Sequence, residues 1–167
     1  MVAACGGSSG SETTTTQPPT TTTVAATTTP TTLPPTTTTV ALDCAGFGAA
    51  MTSIAQSFLY QTFDGGAAFE RKRGSELADA LEVVSATIGD LGDQVAALGA
   101  PPSGYEAAVT MMLQAIDMDF VGYADAAAAA RAGDEAALDL AVADIDQAFG
   151  ILMNANVALS EAQACAG

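Results

Sequence analysis

The sequence predicts an all-α protein: an antiparallel up-down-up-down four-helix bundle preceded by a disordered Thr/Pro-rich tail. Three observations lead there. Composition changes abruptly at residue 42, from threonine and proline to alanine, leucine, methionine and scattered acids. Beyond that point apolar residues recur at alternating steps of four and three, the spacing of helices that bury one side. Short breaks rich in glycine and proline separate the runs, which makes consecutive helices antiparallel neighbours.

The tail comes first. Between Thr13 and Val40, 17 of 28 positions are threonine, 5 are proline and none is charged. So little apolar surface cannot offset the entropy lost on ordering, and proline with β-branched threonine favours extended backbone over helix. We therefore read 12–41 as a disordered, fairly stiff linker of a composition open to O-glycosylation, 1–11 as a spacer, and 42–167 as one domain of ordinary size.

Within the domain the expected helices cover about 44–63, 67–98, 103–131 and 134–164. In the first, Asp43 is a candidate N-cap, Phe47, Met51, Ile54 and Phe58 form the stripe with Phe63 near the end, and Gly65-Gly66 is the expected stop. Residues 45–63 carry no charge, but glutamines and hydroxyl residues interrupt them, so they suit a buried bundle helix better than a membrane span. The second has the clearest pattern: Leu77, Leu81, Val84, Ile88, Leu91, Val95 and Leu98, with Asp79, Glu82, Asp90 and Asp93 facing outward. Gly89 and Gly92 weaken it by about 1 kcal/mol each relative to alanine.

After the break at Gly99-Ala100-Pro101-Pro102, Ser103-Gly104-Tyr105-Glu106 has the form of a capping box. The third helix then sets Tyr105, Val109, Met112, Ile116, Phe120, Tyr123 and Ala127 on one side, and Gly133 closes it. Asp134 caps the fourth, whose seam is Leu138, Val142, Ile145, Phe149, Leu152, Asn156 and Leu159. A single asparagine at such a position usually fixes register. Met51, Met111, Met112, Met118 and Met153 suit a malleable core.

Charge and composition exclude several functions. Nineteen acids against four bases give a net charge of −15, the opposite of a nucleic-acid footprint. With no histidine there is no Ser–His or Cys–His catalysis, no imidazole ligand and no ferritin-like Glu-x-x-His site. Asp117, Asp119 and Asp125 approximate an EF-hand register, but Val121 and Ala128 stand where ligands are required. These acids, like Asp134 with Glu135 and Asp144 with Asp146, are read as solvated helical faces. Arg71-Lys72-Arg73, the one basic cluster, is read as a solvated turn between helices one and two. No catalytic residue, metal site or cofactor is expected.

Val2-Ala3-Ala4-Cys5, followed by Gly6-Gly7-Ser8-Ser9-Gly10-Ser11, resembles the lipobox region of bacterial lipoproteins over about ten residues. The resemblance implies lipidation of Cys5, which becomes the new N-terminus, and residence on the outer face of the bacterial cell membrane. It also implies a charged and an apolar signal region upstream of Met1, where the sequence shown has no room for them. If Cys5 is acylated, Cys44 and Cys165 remain as a pair. In an up-down-up-down bundle the start of helix one and the end of helix four lie together, which suits a disulfide closing the domain.

The functional expectation is a non-catalytic, membrane-tethered envelope lipoprotein whose bundle binds or scaffolds an envelope protein. The alternative is an extracytoplasmic carrier holding a small apolar ligand between its helices. An enzyme using carboxylates alone would need two of them facing each other in a cleft, and the heptads put nearly all of them outside.

Overall fold

A computed structural model describes residues 42–162, within a compact unit spanning Thr38–Gly167. The predicted linker and spacer, with Cys5 and Cys165, lie outside the described residues. Among those described there are four α-helices and no strands: α1 (Cys44–Arg71), α2 (Gly74–Ala97), α3 (Glu106–Ala132) and α4 (Glu135–Ala162). Consecutive helices pack side by side and α1 also meets α4, forming the expected bundle.

Local chemistry explains most helix boundaries. The Asp43 carboxylate accepts from the Gly46 N–H at 2.7 Å, and that of Asp134 from the Ala137 N–H at 3.0 Å. Each satisfies an amide that has no partner within its helix. Gly133 ends α3 in the left-handed region, at φ 70°, where a side chain would be strained.

Three boundaries differ from expectation. Helix α1 does not stop at Gly65-Gly66 but continues to Arg71, and α2 begins at Gly74 rather than 67. Gly65 and Gly66 are not among the positive-φ glycines, whereas Gly74 is, at φ 56°. The turn therefore falls at Lys72-Arg73, where the Arg73 guanidinium donates to the carbonyls of Phe69 and Lys72. The capping box at Ser103 does not close around α3. The helix starts at Glu106 after Tyr105, which makes no side-chain cap, and the Glu106 carboxylate accepts from the Gly104 N–H instead.

The core matches α2 best: Leu77, Leu81, Val84, Ile88, Leu91 and Val95 are all buried, and Leu98 packs against them half-buried. On α1 the stripe from Phe47 to Phe58 is buried, while Phe63 is exposed; Met51 and Met112 are interior and Met153 is not. On α4, three alanines share the interface with three larger side chains: Ala141, Ala148 and Ala155 are buried with Ile145, Leu152 and Leu159, while Val142, Phe149 and Asn156 of the expected seam are half-buried.

Helices α1 and α3 face each other across the bundle diagonal and meet through two tyrosines. The Tyr105 ring meets Phe47 edge-on at 5.4 Å between centroids, and its hydroxyl lies over Gly48. The Tyr123 ring fills the space over Gly65, where any Cβ would overlap it. Gly48 and Gly65 are 17 residues apart and the two tyrosines 18, both spans of about 26 Å at 1.5 Å per residue. Two matched contacts in the same chain direction fix α1 parallel to α3.

This packing sets apart two adjacent glycines. Gly65→Ala should destabilise the bundle by about 1–2 kcal/mol, because displacing the Tyr123 ring outweighs alanine's helix preference. Nothing lies within 4 Å of a Cβ at exposed Gly66, so Gly66→Ala should stabilise by up to about 1 kcal/mol. Urea denaturation of the two variants measures both, and equal effects would contradict the packing.

Candidate functional site

The apolar core is broken by two polar side chains among the described residues, Ser85 and Asp119. Ser85 is satisfied: its hydroxyl donates to the Phe120 carbonyl at 2.8 Å, tying α2 to α3. Asp119 is not. It is completely buried, its Oδ2 lies 3.3 Å from the Thr62 hydroxyl of α1, and its Oδ1 has no hydrogen-bond partner. One turn further along α3, the Tyr123 hydroxyl donates to the Thr62 carbonyl at 3.2 Å.

This corrects the reading of Asp119 as part of a solvated face. Steps of four and three along α3 permit either Ile116-Asp119-Tyr123 or Ile116-Phe120-Tyr123 as the inward series. Hydrophobicity alone selects Phe120, yet Phe120 is 42% exposed and Asp119 is buried. The seam is phased by its neighbours: Ala108, Met112, Ala115, Gly122 and Ala126 are buried too. The small residues among them were the available signal, because they show where α3 approaches other helices most closely.

Hydrogen counting shows which protonation state fits. The Thr62 hydroxyl has one hydrogen and two acceptors in reach, the Phe58 carbonyl at 3.1 Å and Asp119 Oδ2. An ionised Asp119 therefore competes for a single donor while its other oxygen has none, which is costly in the interior. A neutral Asp119 protonated on Oδ2 donates to Thr62, which then donates to Phe58, so every hydrogen has an acceptor. Burial raises the Asp119 pKa to about 7, with the Thr62 hydrogen bond opposing. Burial, then the charges of Asp119 and Asp146, pushes the Tyr123 hydroxyl up as well.

The other candidate residues do not converge on a site. Asp117 is exposed and Asp119 buried, and consecutive odd positions on a helix point about 200° apart, so the EF-hand register cannot close on one ion. No group of three potential metal ligands occurs among the described residues. Asp134 is occupied as a cap, while Glu135, Asp144 and Asp146 are exposed. In the basic turn, Lys72 pairs with Glu76 at 3.0 Å. Arg131 bridges from α3 to Asp79 and Glu82 of α2, and its hydrogen bond holds the Glu82 carboxyl below the usual range. Cys44 opens α1, half-buried against the core.

Open grooves run along both sides of α3. The groove against α2, about 370 Å³, is lined by Gly89, Gly92, Asp93, Leu113, Ile116, Asp117 and Phe120. The groove against α4, about 290 Å³, is lined by Asp117, Met118, Val121, Gly122 and Asp144. Asp119 lines neither of these.

The sign of the resulting pH effect follows from linkage. The unfolded chain loses the Asp119 proton near pH 4, whereas the folded chain keeps it to about 7. Stability from this group is thus complete below about pH 4, falls as pH rises to about 7, and levels off above. At about 1.4 kcal/mol per pH unit the loss is at most about 4 kcal/mol. Asp119→Asn should remove that slope: urea unfolding of variant and wild type between pH 4 and 8 should show their difference shifting in the variant's favour as pH rises. A constant difference would mean that Asp119 is ionised in the fold. No protein-family model matches the chain, and neither a curated protein nor a solved structure is detectably similar to it.

Proposed function

We propose that this protein is a membrane-tethered envelope lipoprotein whose helical bundle acts as a non-catalytic binding or scaffolding domain. The observation that carries the reading is the lipobox-like Val2-Ala3-Ala4-Cys5 joined to a long, uncharged Thr/Pro segment ahead of the bundle. Thirty-eight residues separate Cys5 from Cys44, a reach of up to about 120 Å at 3.1 Å per residue. A lipid on Cys5 would hold the chain at the outer face of the membrane. No described helix is long and apolar enough to cross one.

The ends of the bundle support the proposed Cys44–Cys165 bridge. Cys44 at the start of α1 and Ala162 at the end of α4 are both half-buried against the same core, and Cys165 follows three residues later. In the chain-entropy view, closing a loop of about 120 residues contributes near 5 kcal/mol. For the domain itself, binding on the outer surface is favoured over a ligand between the helices. Met51, Phe58, Leu81, Ile88, Met112 and Leu152 fill the interior and are each fully buried.

The mass of the intact protein from membranes of its bacterial host tests the anchor. The expected species begins at a diacylated Cys5 and gains two hydrogens on reduction. An unmodified chain with three free thiols would overturn both the anchor and the bridge.

A further inference from the structure

We infer that the outward face of α3, from Leu113 to Val121, is a docking surface for a cationic amphipathic helix of a partner protein. The inference rests on the proposed binding role of the bundle and names the chemistry of its partner.

Leu113, Asp117, Phe120 and Val121 fall at i, i+4, i+7 and i+8, one face of a helix. The three apolar members are 39%, 42% and 48% exposed, a stripe that packing within the chain leaves partly uncovered. Relief comes from glycine. A Cβ at Gly89 would lie 3.2 Å from the Phe120 ring and one at Gly92 3.3 Å from Ile116, so α2 presents bare backbone beside the stripe and leaves the groove open.

Charge decides the occupant. The stripe is edged by carboxylates from three helices, Asp93 on α2, Asp117 within it and Asp144 on α4. None of the three takes part in the described ion pairs. The chain has four basic side chains, Arg71, Lys72, Arg73 and Arg131. They lie at the α1–α2 turn and the end of α3, away from this face, and Lys72 and Arg131 are already paired. A second copy would bring carboxylate to carboxylate. A helix with leucine-like side chains along one face and lysine or arginine beside them meets both the groove and its rim.

The probe is a fluorescent synthetic helix of leucine and lysine, titrated by anisotropy against the full chain near physiological ionic strength. Saturable one-to-one binding is expected. Phe120→Ser, and separately the double change Asp93→Asn with Asp117→Asn, should each weaken it about tenfold or more. A control pair, Asp64→Asn with Asp139→Asn, removes the same charge from exposed positions elsewhere and should change binding less than about twofold. Equal weakening by both pairs would reduce the effect to net charge and overturn the inference. So would equal binding of a leucine–glutamate helix, or self-association of the chain that Phe120→Ser abolishes. Circular dichroism confirms that each variant keeps its helices. Failure here leaves the lipid anchor untouched, since its mass signature is read separately.

Discussion

The bundle depends on one close approach, the Tyr123 ring lying in the notch at Gly65. Diagonal helices in a four-helix bundle are too far apart for ordinary side chains to join them at every level. Here α1 and α3 come together because glycine on one side makes room for tyrosine on the other, at both ends of the same span. With α1 and α3 held parallel, α2 and α4 have only antiparallel positions to fill. The α2 leucine stripe and the α4 alanines then close the core against a frame already in register. An alanine-rich α4 suits this role, because small side chains let it lie close to α3, and the Cβ position of Gly122 sits against Ile145.

The same contact explains why an acid is tolerated inside. Asp119 sits one turn before Tyr123, and both reach Thr62, one through its hydroxyl and the other through its carbonyl. An apolar residue at 119 would pack well in any rotation of α3 that buried it. A carboxyl that finds its single partner only at Thr62 favours one rotation over the others. Buried polar groups often contribute little net stability, and their best-attested use is to fix register. In this fold that role belongs to Asp119, whereas Asn156, the expected register residue, lies only half-buried on α4.

How much of this was legible in the sequence depended on the kind of signal. The α2 face was read correctly because seven large aliphatic residues leave one consistent phase, and Asp43, Asp134 and Gly133 were recognisable because capping is local chemistry. The α3 face was misphased at one position because periodicity alone cannot separate residue 119 from 120. The choice is made by Gly65 and Thr62, more than fifty residues away. Glycine misled at 65–66 for the same reason: its role there is tertiary, making room for a ring, and no local pattern distinguishes that from a stop. The glycines at 89 and 92 carried only a helix-propensity cost in the sequence. Their effect, an open groove, exists only once α3 lies beside them.

Charge placement joins the bundle to its proposed anchor. All four basic residues fall at the end formed by the α1–α2 and α3–α4 turns, opposite the end where Cys44 opens α1. The half that contains Cys44 therefore has carboxylates and no basic side chain among the described residues. If the proposed lipid on Cys5 holds the chain at an anionic membrane, that half would be repelled, but at physiological salt the repulsion would fade within about 8 Å. The proposed linker, with a reach of up to about 120 Å, would operate far beyond that distance. Under that proposal charge would keep the bundle from lying on the lipid, and the linker would set how far it could search. A cationic partner would encounter the acidic face of α3 under electrostatic attraction, while the proposed lipid would restrict that search to the space above the membrane.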